Sequence, residues 1–321
     1  MDPFTLLVYG YFQFKGKRGT KMDDFENSIK KFQEIFKKSK ISDETDIKNI
    51  LLVLDETKDR EDFIFNLVEQ LNERTNASFI FLLAVRGYRS QAKAANIDLE
   101  TLPELITRIK KRFSGEKELF NVALIPDDKE TPFNRMQEII QKRRIDLIVI
   151  PAPFTLFAQE EKQEMISIGT TVDQVITEHL LKGRIPIYLV LKAQKTPVKD
   201  IKVLIRSSIF QNDFLGWLIA LIEDNAQIDV FYSSLVEEKE LKRMEIFFNI
   251  IKERLEEDNR KIELRLNQGP IYLKDFCAIV EKEPDSLIVF QAMTKIENDA
   301  EIITASLCLQ NTNALIFPPT E

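Results

Sequence analysis

Short apolar runs alternate with amphipathic segments over most of the chain. Runs rich in Leu, Ile and Val predict buried strands, and before residue 193 they are NILLVLDE, SFIFLLAV, FNVALIP, IDLIVIPA and PIYLVLK. Segments with apolar residues at helical spacing separate them, at residues 60–73, 102–113 and 133–143 and in TTVDQVITEHLL. Strand and helix alternate about five times, which predicts an α/β fold with a doubly wound, mainly parallel sheet.

The same pattern recurs in the rest of the chain. Residues 47–71 have a counterpart at 201–224, RIDLIVIPA has one in PDSLIVFQA, and RIPIYLVLK has one in TNALIFPPT. Because the order recurs as well as the composition, we predict an internal duplication. A first subdomain then spans residues 47–192, residues 193–200 form a linker, and a second, more compact subdomain spans residues 201–321.

The first residues follow a different pattern. MDPFT resembles a cloning remnant, and LLVYGYFQFKGKRG passes from aromatic and apolar residues to Lys15, Lys17 and Arg18. Aromatic residues favour the membrane interface and basic residues favour its cytoplasmic side. Residues 1–20 are therefore predicted to hold this remnant and the end of a last membrane segment, with an edge strand or a tag-derived tail as the alternative. Residues 21–46 are predicted to form a connecting amphipathic helix and a linker.

Composition excludes several function classes. A length of 321 residues suggests two domains. The net charge of −7 argues against a nucleic-acid partner, because phosphate backbones select clustered Lys and Arg, and we interpret the basic run at residues 142–144 as a solvated helix end. Cys277, Cys308 and the single His179 are too few for a zinc site, and two distant cysteines in apolar segments suit reduced thiols.

The turns that follow the fourth strand of each half lack the features of a phosphate-binding loop. Such a loop needs glycines and exposed backbone N–H groups. The first half has Pro151, Ala152, Pro153 and Phe154 here, with Glu160 and Glu161 beyond them, and the second half has Gln291, Ala292, Met293 and Thr294. The prolines remove donors and the glutamates repel phosphate. Residues 169–171 could open a helix onto an anion or form a plain helix cap. We expect no nucleotide and no other cofactor.

No set of catalytic or metal-binding residues emerges from the sequence. His179 lies in a helical pattern beside two leucines and is interpreted as a structural or surface residue, and no G-x-S-x-G motif is present. Asp55, at the end of the first strand, has a common position for a functional carboxylate, but its counterpart Arg206 reverses the charge. We expect no enzyme, with a hydrolase or transferase that uses an atypical site around Asp55 as an alternative.

In this pattern each half resembles the universal stress protein domain. SIGTTVDQVITEHLLKGRIPIYLVLK, at residues 167–192, is similar to the tail of that domain and keeps Gly169. The glycine-rich loop that precedes this tail in the family is replaced here. The resemblance implies the fold, and the replaced loop implies that nucleotide binding is lost.

The tandem as a whole resembles the cytosolic C-terminal domain of a cation-chloride cotransporter, in the compact form of a prokaryotic member. The matching stretches are YFQFKGK, the predicted helix around residues 25–36, IKNILLVLDE and residues 262–319. The resemblance implies a non-catalytic regulatory and dimerisation domain at the cytoplasmic face of the cell membrane. It also implies a homodimer joined to the membrane domain of the same transporter, which moves Na⁺ and/or K⁺ with Cl⁻. A free-standing tandem universal stress protein that binds a nucleotide or another small ligand is the alternative.

The loop after the fourth strand of the first half is a candidate contact surface. Its Pro and Phe residues present apolar side chains and few backbone donors, which suits packing on a neighbouring domain. We therefore predict that Pro153, Phe154, Leu156 and Phe157 are contact residues. A loop that buries its own aromatic side chains is the alternative.

Overall fold

The structure, a computed structural model, describes ten strands and four helices of the chain. The described residues are 47–54, 58–75, 77–83, 101–113, 120–124, 132–151, 184–194, 198–205, 221–233, 249, 252–253, 256, 261–283, 285–291 and 312–318. All of them belong to one compact unit, Asp46–Glu321. The predictions made for residues 1–46 lie outside the described residues.

The described helices and strands follow the predicted alternation, and we number them in chain order. The strands are β1 Asn49–Leu54, β2 Ser78–Leu83, β3 Phe120–Leu124, β4 Leu147–Pro151, β5 Ile187–Val190, β6 Val198–Ile205, β7 Ile222–Ser233, β8 Glu263–Ile271, β9 Leu287–Gln291 and β10 Ala314–Phe317. The helices are α1 Lys58–Arg74, α2 Thr101–Arg112, α3 Pro132–Lys142 and α4 Leu273–Lys282.

The described strands form one sheet of ten, in the order β3-β2-β1-β4-β5-β10-β9-β6-β7-β8. Within each half every pairing is parallel, and the order 3-2-1-4-5 of the first five strands recurs in reverse in the last five. The predicted fold class, two tandem doubly wound and mainly parallel subdomains, is thereby confirmed. The boundaries at 47–192, 193–200 and 201–321 stay predictions.

The register of the strands defines which positions correspond between the halves. Ile50 of β1 pairs with Leu147 of β4, and Ile201 of β6 pairs with Leu287 of β9. Ile50 therefore corresponds to Ile201, and Leu147 corresponds to Leu287. Counting along the strands from these pairs gives the other equivalent positions that are used below.

Both faces of the sheet are buried, which explains the continuous apolar runs of the strands. Along β1, Ile50 and Leu52 belong to one apolar layer, whereas Leu51 and Val53 belong to the layer on the opposite face. Helices α1 and α2 contribute to the first layer, and α3 and α4 contribute to the second. The first layer runs through strands of both halves, so the halves share one core.

Helical spacing selects the side of each helix that faces the sheet. In α3, Met136, Ile139 and Ile140 recur at intervals of three and four residues, and all pack into the second layer. In α4, the ring of Phe276 meets Phe290 of β9 with 5.7 Å between the ring centroids, in an edge-on arrangement. Apolar side chains at these spacings thus fix each helix against the strands beside it.

The two halves meet through the antiparallel pair β5 and β10. Tyr188 pairs with Leu315, and on either side Leu189 pairs with Ala314 and Ile187 pairs with Ile316. Because Tyr188 corresponds to Leu315 between the halves, this register is symmetric about that central pair. The junction is therefore a pseudo-two-fold axis. The strands of one half run opposite to those of the other.

A buried asparagine ties the end of β5 to the start of β10. The side-chain oxygen of Asn313 accepts hydrogen bonds from the backbone N–H groups of Leu191 and Lys192, at 2.7 and 2.9 Å. Its Nδ2 donates to the backbone oxygen of Lys192 at 2.9 Å and to Oε1 of Gln194 at 2.8 Å. The amide of Gln194 in turn donates to the backbone oxygen of Asp285 at 2.7 Å. This network anchors the chain where it leaves the first half.

We expect Asn313→Ala to destabilise the junction strongly. The substitution removes the partners of several buried backbone groups, and each group left unsatisfied costs about 1–3 kcal/mol. The free energy of unfolding, measured with urea, should fall by about 2–4 kcal/mol. The control is Asn49→Ala, which removes a single hydrogen bond from Nδ2 of Asn49 to the backbone oxygen of Arg144. Equal losses in the two variants would contradict the assigned role of Asn313.

Candidate functional site

The carboxyl ends of the parallel strands are the usual ligand-binding edge of such folds. The segments that follow β1, β4, β6 and β9 lie outside the described residues. The candidate residues that fall there are Asp55, Arg206, Pro153, Phe154, Leu156, Phe157, Glu160, Glu161, Gly169, Thr170, Thr171, His179, Cys308 and Met293. Their predicted roles stay predictions. Cys277 is half-buried on α4.

The described residues contain one buried cluster of charged side chains, which the sequence analysis did not identify. Lys202 lies in the middle of β6, where it pairs with Asp229 of β7. Both residues are buried, Lys202 at 1% and Asp229 at 7% relative exposure, although they lie among apolar strands. Burying a charge costs free energy unless the charge is paired and hydrogen-bonded, so the partners of Lys202 determine what the cluster can do.

Two carboxylates hold the ammonium group of Lys202. Its Nζ donates a short hydrogen bond to Oδ2 of Asp229 and forms an ion pair with Oε2 of Glu283 at 2.5 Å. The amide of Gln227 donates to the same oxygen of Asp229 at 2.9 Å. The side chain of Glu283 is about half exposed, at 53%, so the cluster reaches the surface on that side. Buried charge is thereby compensated by direct partners.

The cluster fastens the end of α4 to the sheet. Glu283 is the residue at which α4 ends, and its backbone N–H donates to the oxygen of Val280 at 2.9 Å. A cation near the carboxyl end of a helix is favourable, because the last carbonyl groups carry partial negative charge. In a parallel α/β fold, this helix end lies at the amino-terminal edge of the strands, away from the usual ligand-binding edge.

The partners of Lys202 favour its charged form, which does not suit a nucleophile. Burial alone lowers the pKa of this ammonium, but the hydrogen bonds to Asp229 and Glu283 outweigh burial and raise its pKa above the ordinary value. A catalytic lysine needs a lowered pKa to present a neutral amine near pH 7. The ion pairs with Asp229 and Glu283 thus suit a structural role, in which Lys202 holds the end of α4 against the sheet.

The equivalent positions in the first half are apolar. The register aligns Lys202 with Leu51 and Asp229 with Ile80, and both of these residues are buried in the second layer. The third member of the cluster, Glu283, corresponds to Arg143, a residue of opposite charge. A Lys and an Asp inside otherwise apolar runs are the sequence signal of this cluster. It becomes visible only when the two halves are aligned by register.

A shallow groove of about 350 Å³ lies between α1 and α2. Its lining residues are Asp62, Phe65, Arg108, Lys111 and Arg112. The guanidinium of Arg112 binds the carboxylate of Glu69 through two hydrogen bonds, at 2.5 and 2.8 Å, and lies 5.5 Å from the ring centroid of Phe65. Hydrogen bonding to Arg112 lowers the pKa of Glu69. This pairing neutralises the central cation of the groove and clamps the two helices together.

The described part of the chain has no cluster of metal ligands and no membrane-spanning helix. No three or more described His, Cys, Asp or Glu side chains are arranged to hold a metal ion. None of the described helices is long and apolar enough to cross a membrane.

Comparison with solved structures identifies the fold. A universal stress protein from Archaeoglobus fulgidus DSM 4304 superposes with a TM-score of 0.52, covering 87% of this chain and 98% of that chain at 10% identity. A functionally unknown protein from Pseudomonas aeruginosa PAO1 gives a TM-score of 0.46 at 14% identity, covering 86% of this chain and 94% of that chain. No protein-family model and no curated protein matches the sequence. The first likeness shows a universal-stress-protein-like fold.

We expect the buried ion pair to be costly to break and easy to replace. Lys202→Met leaves Asp229 buried without its cation, which should lower the free energy of unfolding by about 3–5 kcal/mol. The double variant Lys202→Leu/Asp229→Ile installs the pair of the first half and should be as stable as the wild type or up to about 1–4 kcal/mol more stable. Urea unfolding measures both.

The control for the single variant is Lys199→Met, in the same strand. Lys199 forms an exposed ion pair with Glu223 at 3.4 Å, and such pairs contribute about 0–1 kcal/mol. If the double variant is as unstable as Lys202→Met, an apolar pair cannot replace the ion pair at these positions, and the prediction is wrong.

The raised pKa of Lys202 also predicts a dependence on pH. Because the folded ammonium keeps its proton to a higher pH than the unfolded one, its contribution to stability is complete below the ordinary pKa of 10.5 and is lost as the pH rises through the folded pKa. The difference in unfolding free energy between wild type and Lys202→Leu/Asp229→Ile should therefore stay constant from neutral pH to about pH 10 and change only above it. A change near neutral pH would contradict this assignment.

Proposed function

We propose that this chain is a non-catalytic regulatory and dimerisation domain of a cation-chloride cotransporter, located at the cytoplasmic face of the cell membrane. The parent transporter would move Na⁺ and/or K⁺ together with Cl⁻ through a membrane domain joined to this one. The observation that carries the proposal is the resemblance of YFQFKGK, IKNILLVLDE and residues 262–319 to that family, in a chain whose two halves form one sheet.

Two of the sequence stretches that resemble the cotransporter family contain strands of the described sheet, namely β1 and the strands β8 to β10. IKNILLVLDE contains β1, the strand with which the described sheet begins along the chain. Residues 262–319 contain β8, α4, β9 and β10, and so they include one side of the junction between the halves. The aromatic and basic stretch YFQFKGK precedes both and supplies the link to a membrane segment.

The features of the ligand edge favour a binding module over an enzyme. β4 ends at Pro151, a residue without a backbone N–H, and a second proline and a phenylalanine follow it in the sequence. The buried cation, Lys202, forms ion pairs that raise the pKa of its ammonium, which does not suit a nucleophile. These features support a surface for protein contacts in place of a phosphate site.

The junction limits where self-association can occur. β5 and β10 pair with each other, so neither strand offers an open edge to a second copy. The edge strands of the described sheet are β3 and β8. Pro270 lies within β8, and because proline has no backbone N–H to donate, it is tolerated in an edge strand but disfavours pairing with a further strand. The loop after β4, with Phe154 and Phe157, is therefore our candidate for the dimer contact.

A second function remains a candidate because of the structural neighbour. The protein from Archaeoglobus fulgidus bears the name universal stress protein, and this chain shares its fold. A free-standing tandem protein that binds a nucleotide or another small ligand would have the same architecture. Affinity for ATP separates the two functions.

We expect the purified chain to sediment as a dimer across a concentration series, with the same mass in the presence of excess ATP. A dimer buries apolar contacts that do not involve a nucleotide, so ATP should change neither its mass nor its thermal midpoint. A monomer that is stabilised by ATP would overturn the cotransporter proposal and favour the stress-protein function.

The contact residues are tested by Phe154→Ser/Phe157→Ser, which should shift the dimer to monomer in the same measurement. Tyr272→Ser is the matched control, because Tyr272 is an aromatic residue with 62% relative exposure at another position on the surface. Its dimer should be unchanged. Unchanged self-association and stability in the Phe154/Phe157 variant would refute the contact.

A further inference from the structure

One edge of the sheet concentrates exposed cations. Hydrogen bonds bring the starts of three neighbouring strands together there: the side-chain Nδ2 of Asn49 donates to the backbone oxygen of Arg144 at 2.7 Å, and the backbone N–H of Ile148 donates to the oxygen of Pro186 at 3.1 Å. The exposed basic residues beside these contacts, which we call the basic edge, are Lys48, Lys142, Arg143, Arg144 and Arg184.

Two described carboxylates, those of Asp146 and Glu138, lie beside these five cations. Oδ2 of Asp146 accepts the backbone N–H groups of Lys48 and Asn49, at 2.8 and 2.9 Å, and its Oδ1 lies 3.5 Å from Nε of Arg144. Glu138 pairs with Lys142 one helical turn away. Among the described residues of this edge, cations therefore outnumber carboxylates, in a chain whose net charge is −7.

The fold itself does not require the three arginines of the basic edge. In the second half, Glu283 and Pro284 hold the positions of Arg143 and Arg144, and Asn311 holds that of Arg184, whereas Lys199 and Lys282 keep the charges of Lys48 and Lys142. The second half forms the same strand order without the arginines. Because the halves run antiparallel, its equivalent edge also lies on the opposite side of the sheet. The excess of positive charge that the arginines supply is thus particular to one edge of the molecule.

The chain enters the sheet at this edge. β1 begins at Asn49, directly after Lys48, so residues 1–46 connect to the fold beside the cations. The proposed function, on which this step rests, places residues 1–20 at the cytoplasmic face of a membrane. That face carries anionic lipids, which attract Lys and Arg within a Debye length of about 10 Å at 0.1 M salt.

We propose that the basic edge docks on the anionic lipid surface of the membrane and so orients the domain. Arg and Lys side chains at the starts of β1, β4 and β5 contact lipid phosphates and carboxylates there. The net negative charge of the rest of the chain repels the same surface, so one orientation is selected. The run at residues 142–144, interpreted from the sequence as a solvated helix end, becomes part of a binding surface.

The test is flotation of the full chain with phosphatidylcholine vesicles, with and without phosphatidylserine, over a range of salt concentrations. The wild type should bind the vesicles that contain phosphatidylserine, and increasing salt should weaken binding. Lys142→Gln/Arg143→Gln/Arg144→Gln should reduce partitioning by at least about tenfold, since each basic residue near the surface contributes separately. The variant keeps residues 1–46, so their own membrane affinity is the same in both proteins.

The matched control is Lys199→Gln/Lys261→Gln/Lys282→Gln, which removes the same charge from the opposite edge and should bind like the wild type. If the first variant has a lowered thermal midpoint, Lys48→Gln/Arg184→Gln replaces it and should weaken partitioning in the same direction. Equal losses in variant and control, no preference for phosphatidylserine, or tighter binding to single-stranded RNA than to vesicles would each overturn the proposal. A wild-type chain that dimerises but does not bind the phosphatidylserine vesicles refutes the docking alone. A wild-type chain that binds these vesicles but is a monomer stabilised by ATP refutes the cotransporter function alone.

Discussion

The antiparallel pairing of β5 with β10 is the constraint on which the rest of the architecture depends. Two parallel five-stranded sheets would each expose an edge strand, and an exposed edge is a template for pairing with another chain. Here each half covers the edge of the other, with Tyr188 and Leu315 at the centre of a symmetric register. This pairing joins the two halves into one continuous sheet with one shared core. It also makes the strands of one half run opposite to those of the other.

The two halves fold alike but differ in how they hold a helix against the sheet. In the second half a buried cation binds Asp229 and the residue at the end of α4, whereas the first half has Leu51 and Ile80 at the corresponding positions. Apolar packing is therefore sufficient for this fold. A buried ion pair contributes little net stability against an apolar pair, because desolvation offsets the attraction between the charges. We infer that the ion pairs instead fix one position of α4 against the sheet.

Much of the fold could be predicted because strands buried on both faces are continuous apolar runs, and helices between them show apolar spacing. The antiparallel junction could not, since β5 and β10 look like any other buried strand and no local signal gives their direction. Lys202 was missed for a related reason. A single Lys in an apolar run has no visible partner until the register brings Asp229 beside it. The loop residues Asp55 and Phe154 lie outside the described part, so the sequence predictions for them stand untested.

The direction of the strands also decides whether two proposed contacts can coexist. Phe154 follows β4 in the sequence, and β4 ends at Pro151 on the carboxyl edge of the first half, whereas the basic edge lies where the strands of that half begin. The end of β4 is separated from its start by the length of the strand, which is about 17 Å for five residues. A dimer formed through the loop would therefore leave the cations of both copies exposed. Pairing and membrane docking would reinforce each other, because a dimer presents two basic edges to one lipid surface and gains avidity when both can reach it.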